Sequence, residues 1–195
     1  MLSVQARPIQ SVFHVSERGT AWYVEGMQPR DAALLIQVAR AEPGWTIRRL
    51  AERGGQPVGS IHRGLRRLAA VGLYEPQRRA INLVVLDEFF RHGARFLLGA
   101  ELGSLQRGIP TAWGVSPLSG MISSDDPPPV WPSAIGTVRG PAIDPLVANI
   151  DTLGELWPEV ATDLSLVDAI RVGDARARAL ATDLLMERLS MAITS

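Results

Sequence analysis

The chain of 195 residues has no cysteine and no lysine, and only two tyrosines and four phenylalanines. Without thiols, neither a disulfide framework nor a thiolate metal site can form, which suits a reducing compartment. The opening MLSVQARPIQ has no basic segment followed by an apolar core, and apolar runs such as INLVVL fall far short of the ~20 residues a spanning helix needs. A cytoplasmic location without a membrane partner is expected. The three histidines, His14, His62 and His92, are too widely separated to predict a metal site, and no cofactor is expected. Glycines at 99, 103 and 108 lack the Lys-Ser/Thr of a phosphate loop and read as turn residues. No nucleophile, base and orienting residue combine into a recognisable catalytic set, so an enzyme is not expected.

Net charge is zero, but it is unevenly distributed. Residues 46–82 carry eight arginines (48, 49, 53, 63, 66, 67, 78 and 79) against Glu52 and Glu75, whereas residues 83–195 carry eight arginines against fourteen acids. Neutralising phosphates requires clustered cations rather than a positive total, so a basic module joined to an acidic one fits a nucleic-acid reader with a second function attached.

Local patterns predict an α+β chain, mainly α. SVFHV and TAWYV around SERG read as an N-terminal β-hairpin within residues 1–27. Pro29 suits a first helical turn, and Ala33, Leu34, Ile36, Val38 and Ala39 make that helix mostly apolar up to Pro43-Gly44. Thr46 can cap a second helix with Ile47, Leu50 and Ala51 on one face, ended by Gly54-Gly55. A third runs from about Pro57 to Val71 and stops at Gly72. Leu73–Glu75 and Ala80–Val85, flanking PQRR, read as two strands of a wing, after which Asp87 can cap another helix, EFFRHGARFLL. Residues 28–98 thus read as a winged helix-turn-helix domain. From 99 to 145 glycine and proline predict an irregular region with short strands such as TAW or TVRG and an exposed SSDDPPP connector. A C-terminal helical pair follows, from Pro158 to Gly173 and then from Asp174 as cap, with Leu180, Leu184, Leu185 and Leu189 on its apolar face. Residues 99–195 are expected to bind an effector or partner, or to dimerise. Asp163, Asp168 and Asp174 read as caps or solvated residues. Trp113, Trp131 and Trp157 suit core packing, with an effector pocket as the alternative.

In a helix-turn-helix the second helix enters the major groove. At about 100° per residue, with Ile61 facing the core, Leu65 and Leu68 lie within about 40° of it, while Gly59, His62, Arg63 and Arg66 point away. Gln56 in the turn and Ser60, His62 and Arg63 near the helix start are candidates for base reading, although His62 suits a plain solvated position equally well. Arg63 has the geometry for guanine O6 and N7, and Gly59 allows close backbone approach. Arg48, Arg66 and Arg67 are candidates for phosphates, and Arg78 and Arg79 at the wing tip for phosphates or the minor groove.

The segment LAERGGQPVGSIHRGLRRLAAVGL resembles the two-helix core of MarR-type and related bacterial winged-helix regulators in Leu50-Ala51-Glu52, Ile61, Leu68 and Gly72-Leu73. It departs from them in Pro57-Val58-Gly59, where a Ser/Arg-rich start is usual, and in its short wing. RGIPTAWGVSPL, VWPSAIGTVRG and LVDAIRVGDARARALATDLL resemble the C-terminal portion of antitoxin-type regulators. The first resemblance implies a winged-helix DNA-binding regulator. Because one recognition helix reads only a few base pairs, a homodimeric repressor on a palindromic operator is expected, with a small-molecule effector or a toxin-like protein as further partner and a winged helix used for protein–protein contact as the alternative. The second implies an antitoxin that neutralises a toxin-like partner enzyme through its acidic half and autoregulates its operon.

Overall fold

The computed structural model describes residues 14–15, 21–22, 26–122 and 126–194, and its architecture is α+β and mainly helical. β1 (His14–Val15) and β2 (Ala21–Trp22) pair antiparallel, with His14 opposite Trp22. The rest of the expected N-terminal hairpin, and residues 123–125 of the SSDDPPP connector, lie outside the described residues.

Helix α1 (Pro29–Ala39) begins with proline, whose missing N–H costs nothing in a first turn. Asp31 accepts the Gln28 backbone N–H at 2.8 Å. Every residue from Asp31 to Ala39 is buried, because α1 is covered on several sides by other helices. Helix α2 (Ile47–Gly54) is capped by the Thr46 hydroxyl, which accepts the Arg49 N–H at 3.1 Å, and ends at Gly55 with φ 61°, a left-handed conformation that glycine adopts without penalty. Helix α3 (Val58–Ala70) turns its Ile61, Leu65 and Leu68 inward onto α1 and α2. β3 (Tyr74–Glu75) and β4 (Ala80–Ile81) then pair antiparallel.

The strand expected over Ala80–Val85 is shorter than its composition suggests. It ends at Ile81 because Asn82 caps α4 (Leu83–Glu88), accepting the Val85 N–H at 3.3 Å. Asp87, expected as the cap, lies inside that helix and binds Arg91 one turn on, at 2.8 Å. A single wide turn of π-helix (Phe89–Gly93) joins α4 to α5 (Ala94–Leu97).

The breaker-rich stretch forms a three-stranded antiparallel sheet, ordered β6 (Val130–Pro132), β5 (Leu105–Pro110), β7 (Val138–Pro141). TAW is not a strand: Ala112–Gly114 is a turn of 3₁₀ helix, whereas VRG of TVRG falls in β7. Helices α6 (Ile150–Leu156), α7 (Pro158–Val172) and α8 (Ala175–Thr194) complete the chain, and Asp174 caps α8 through the Ala177 N–H at 2.7 Å.

Helix α1 packs on α3 on one side and on α7 and α8 on another, so residues before and after Leu98 enter one hydrophobic core. Leu35, Ile36, Ile61, Phe90, Leu153 and Leu164 are among its fully buried members, each contributing about 1.5–3 kcal/mol of transfer free energy. The polar joints correct two expectations. Asp163 and Asp168 are neither caps nor solvated; both are fully buried within α7. Asp163 accepts from Arg40, the C-cap of α1, at 2.7 Å and from Arg188 of α8 at 2.6 Å, tying three helices together. Asp168 accepts from Arg171 at 2.6 Å, from the Trp131 indole at 2.6 Å and from the Thr111 hydroxyl at 2.9 Å, which holds the sheet against α7. Burial raises the Asp168 carboxyl above its ordinary pKa, and Arg171, Thr111 and Trp131 pull against that rise.

Candidate nucleic-acid interface

On α3 the side chains of His62, Arg63 and Arg66 are exposed, as is Gly59, on the side opposite Ile61, Leu65 and Leu68. Ser60 is half-buried at the edge of this face, where Arg63 donates to its hydroxyl at 3.4 Å, a long contact that leaves most of the guanidinium's donors unused. Arg66 has no hydrogen bond or ion pair among the described residues. Gln56 lies half-buried in the turn, and its backbone N–H closes α2 by donating to the Ala51 carbonyl at 2.9 Å.

Arg67 is corrected by the structure. It was expected on phosphates but is buried, and it binds Asp31 of α1 through two hydrogen bonds of 2.7 Å. The cause is Gly64, one turn earlier. A Cβ there would stand 2.5 Å from Leu34 Cδ2 and 3.1 Å from Asp31 Oδ1, so the missing side chain lets α1 close over this flank. The buried arc of α3 therefore extends past the apolar residues to Arg67. A fork of two charge-assisted bonds satisfies a carboxylate that is itself only 1% exposed.

The neighbouring elements add cations of different availability. Arg48 is exposed and pairs with Glu52 at 2.9 Å, a surface pair worth about 0.3–0.5 kcal/mol and easily exchanged for another anion. Arg49 is exposed and its guanidinium has no hydrogen-bonding partner among the described residues; the eight-arginine cluster contains it, but its place on the open side of α2 becomes visible only in three dimensions. At the β3–β4 turn Arg78 is exposed with a 3.3 Å contact to Glu75. Arg79 has φ 53° and folds back, donating to the Trp45 carbonyl and lying 4.5 Å from the centroid of its ring. It thus braces the turn against the α1–α2 loop rather than extending from it. Burial raises the Tyr74 phenol above its ordinary pKa, against the opposing pull of Arg79.

Among the described residues no group of three or more His, Asp or Glu side chains could hold a metal ion, and no helix is long and apolar enough to cross a membrane. The chain matches no protein-family model, no curated protein and no solved structure.

Proposed function

We propose that the protein is a winged helix-turn-helix transcription regulator that binds double-stranded DNA, with α3 as the helix that enters the major groove. The observation that carries this reading is the row of exposed His62, Arg63 and Arg66 opposite the apolar face of α3. Such a row on a buried, braced helix costs solubility nothing and attracts a polyanion. Arg63, near the start of α3, can donate a fork of hydrogen bonds to guanine O6 and N7, worth roughly 1–3 kcal/mol of discrimination. Arg48, Arg49, Arg66 and Arg78 are suited to phosphates, and β3–β4 serves as the wing. One recognition helix reads only a few base pairs, so binding as a homodimer on a palindromic operator follows, with repression as the outcome.

A mobility shift against the DNA upstream of its own gene tests the reading. Binding should weaken steeply with added salt, because each neutralised phosphate releases a counterion. Arg63→Ala with Arg66→Ala should lower affinity at least about tenfold, corresponding to one lost base contact and one lost phosphate contact. Undiminished affinity in that variant, or affinity indifferent to salt, would sink the proposed interface. An antitoxin role is the second reading, favoured by the exposure of Phe96 (78%) and Val84 (71%) on and beside the α4–α5 run, which offers an apolar surface to a partner enzyme. Co-purification with the product of an adjacent gene, lost in Phe96→Ser, would support it.

A further inference from the structure

The run from α4 through the wide turn to α5 repeats every four residues on two opposite faces. Leu86, Phe90, Ala94 and Leu98 are buried, at 2% exposure or less, and two residues ahead of each stands an exposed one: Val84, Glu88, His92 and Phe96. In a plain α-helix positions four apart drift round by about 40° per step. The i→i+5 turn at Phe89–Gly93 takes part of that drift back, which keeps the four in one row. Val84 and Phe96 at its ends are 71% and 78% exposed, and the side chains of Glu88 and His92 between them make no hydrogen bond or ion pair among the described residues. Arg91, one turn on from Glu88, is held instead by Asp87 and Asp183, at 2.8 Å each.

We propose that this row is the contact surface for a second copy of the chain, laid antiparallel across it. The order apolar, acid, imidazole, apolar is its own complement when reversed. A two-fold axis between Glu88 and His92 sets Val84 against Phe96 of the second copy and Glu88 against His92 of the second copy, and each contact occurs twice. An imidazole N–H donates to a carboxylate, so both central groups gain the partner that their own chain withholds. A parallel arrangement would set Glu88 against Glu88. Beside the row an apolar groove of about 370 Å³, lined by Met27, Val71, Leu73, Phe89 and Leu97, widens the surface, and Val71 and Leu97 stand 49% and 43% exposed along it. Contiguous apolar surface rimmed by polar groups marks a protein contact. Self-complementarity selects a copy of the same chain, because a different protein has no need of a row that matches its own reverse.

This inference rests on the homodimer proposed above and names its surface. It is tested without DNA, so that its failure leaves α3 to be judged separately by the mobility shift. Sedimentation equilibrium should show monomer and dimer in exchange, and Phe96→Ser should raise the dissociation constant at least about tenfold, the effect of uncovering an aromatic ring. Glu88→His sets imidazole against imidazole and His92→Glu sets carboxylate against carboxylate, so each variant alone should weaken the dimer about tenfold. Mixing the two variants restores both Glu–His pairs across the axis. Native mass spectra with one variant ¹⁵N-labelled should then show the mixed dimer in clear excess over either like pair, a result that no contact within one chain can produce. The proposal is overturned if the chain stays monomeric, if Phe96→Ser associates as tightly as wild type, or if the mixed dimer forms in no more than the statistical proportion. Loss of a bound neighbouring gene product in Phe96→Ser, with self-association unchanged, would assign the row to a different protein and overturn it as well.

Discussion

Helices α3 and α7 both carry several charged residues and use them in opposite directions. On α3, Arg63 and Arg66 stand in solvent with no acidic partner among the described residues, while on α7 Asp163 and Asp168 are fully buried and each meets an arginine. In α7 the acceptors define how α1, α8 and the β5–β7 sheet sit around the helix, because a buried carboxylate is tolerated only where donors converge on it. In α3 the donors are left unsatisfied by the protein itself, the condition for meeting an outside anion. Arg67 is the exception that sharpens the contrast, since it lies beside Arg66 and yet behaves like a residue of α7.

The comparison breaks most directly at the buried ends. Asp163→Ala leaves the Arg40 and Arg188 guanidinium groups without their anion, and Asp31→Ala does the same to Arg67. Each is expected to cost about 3–5 kcal/mol in urea unfolding, the penalty for orphaning a buried charge. A loss below about 1 kcal/mol would show that these joints are as dispensable as surface pairs.

Asp168 gives a pH-dependent version. Its carboxyl is held above the ordinary value by burial, so the folded protein binds that proton more tightly than the unfolded chain. Its contribution to stability is then fully present below the unfolded value, near pH 4, and is lost as pH rises through the raised folded value, with a slope of at most about 1.4 kcal/mol per pH unit. Unfolding free energies of the wild type and Asp168→Asn, measured across that window, should differ by an amount that changes with pH and levels off above it. Parallel curves would remove Asp168 as a titrating group.

Gln37 is a buried polar group for which none of the described residues supplies a partner. It is fully buried in α1 against Gly54, and neither its amide nitrogen nor its oxygen makes a hydrogen bond. Gln37→Met keeps the length of the side chain and removes both unmet groups, so thermal unfolding should shift upward, by roughly 1–2 kcal/mol of stability. A destabilised Gln37→Met would mean that the amide is satisfied by a buried water.

Features set by neighbours in sequence were legible before the fold. The cap at Thr46, the stops at Gly55 and Gly72, Pro29 in the first turn of α1 and the cap at Asp174 all depend on residues within one turn, and so does the direction of the His62, Arg63 and Arg66 face. Features set by distant approach were not. Arg67 is buried because Gly64 admits α1, and no period within α3 carries that information. Asp163 and Asp168 read as solvated because their donors come from as far away as Arg40 and Thr111. The sheet β6–β5–β7 was hidden because its pairing spans a segment of turn residues, and the end of β4 because Asn82 outcompetes the β-branched residues after it as a helix start.

Arg66→Ala makes the smallest expected change in stability. The side chain is exposed and makes no ion pair among the described residues, so unfolding free energy should stay within about 0.5 kcal/mol of wild type. Beside it, Arg67→Ala should lose several times that amount, because Asp31 would be left buried without its fork of donors. The two variants differ by one position and remove the same group. If they destabilise equally, Arg66 has a structural role and the outward face of α3 shrinks to His62 and Arg63. If Arg66→Ala is silent in unfolding yet flattens the salt dependence of DNA binding by about one counterion, that guanidinium serves the partner and not the fold.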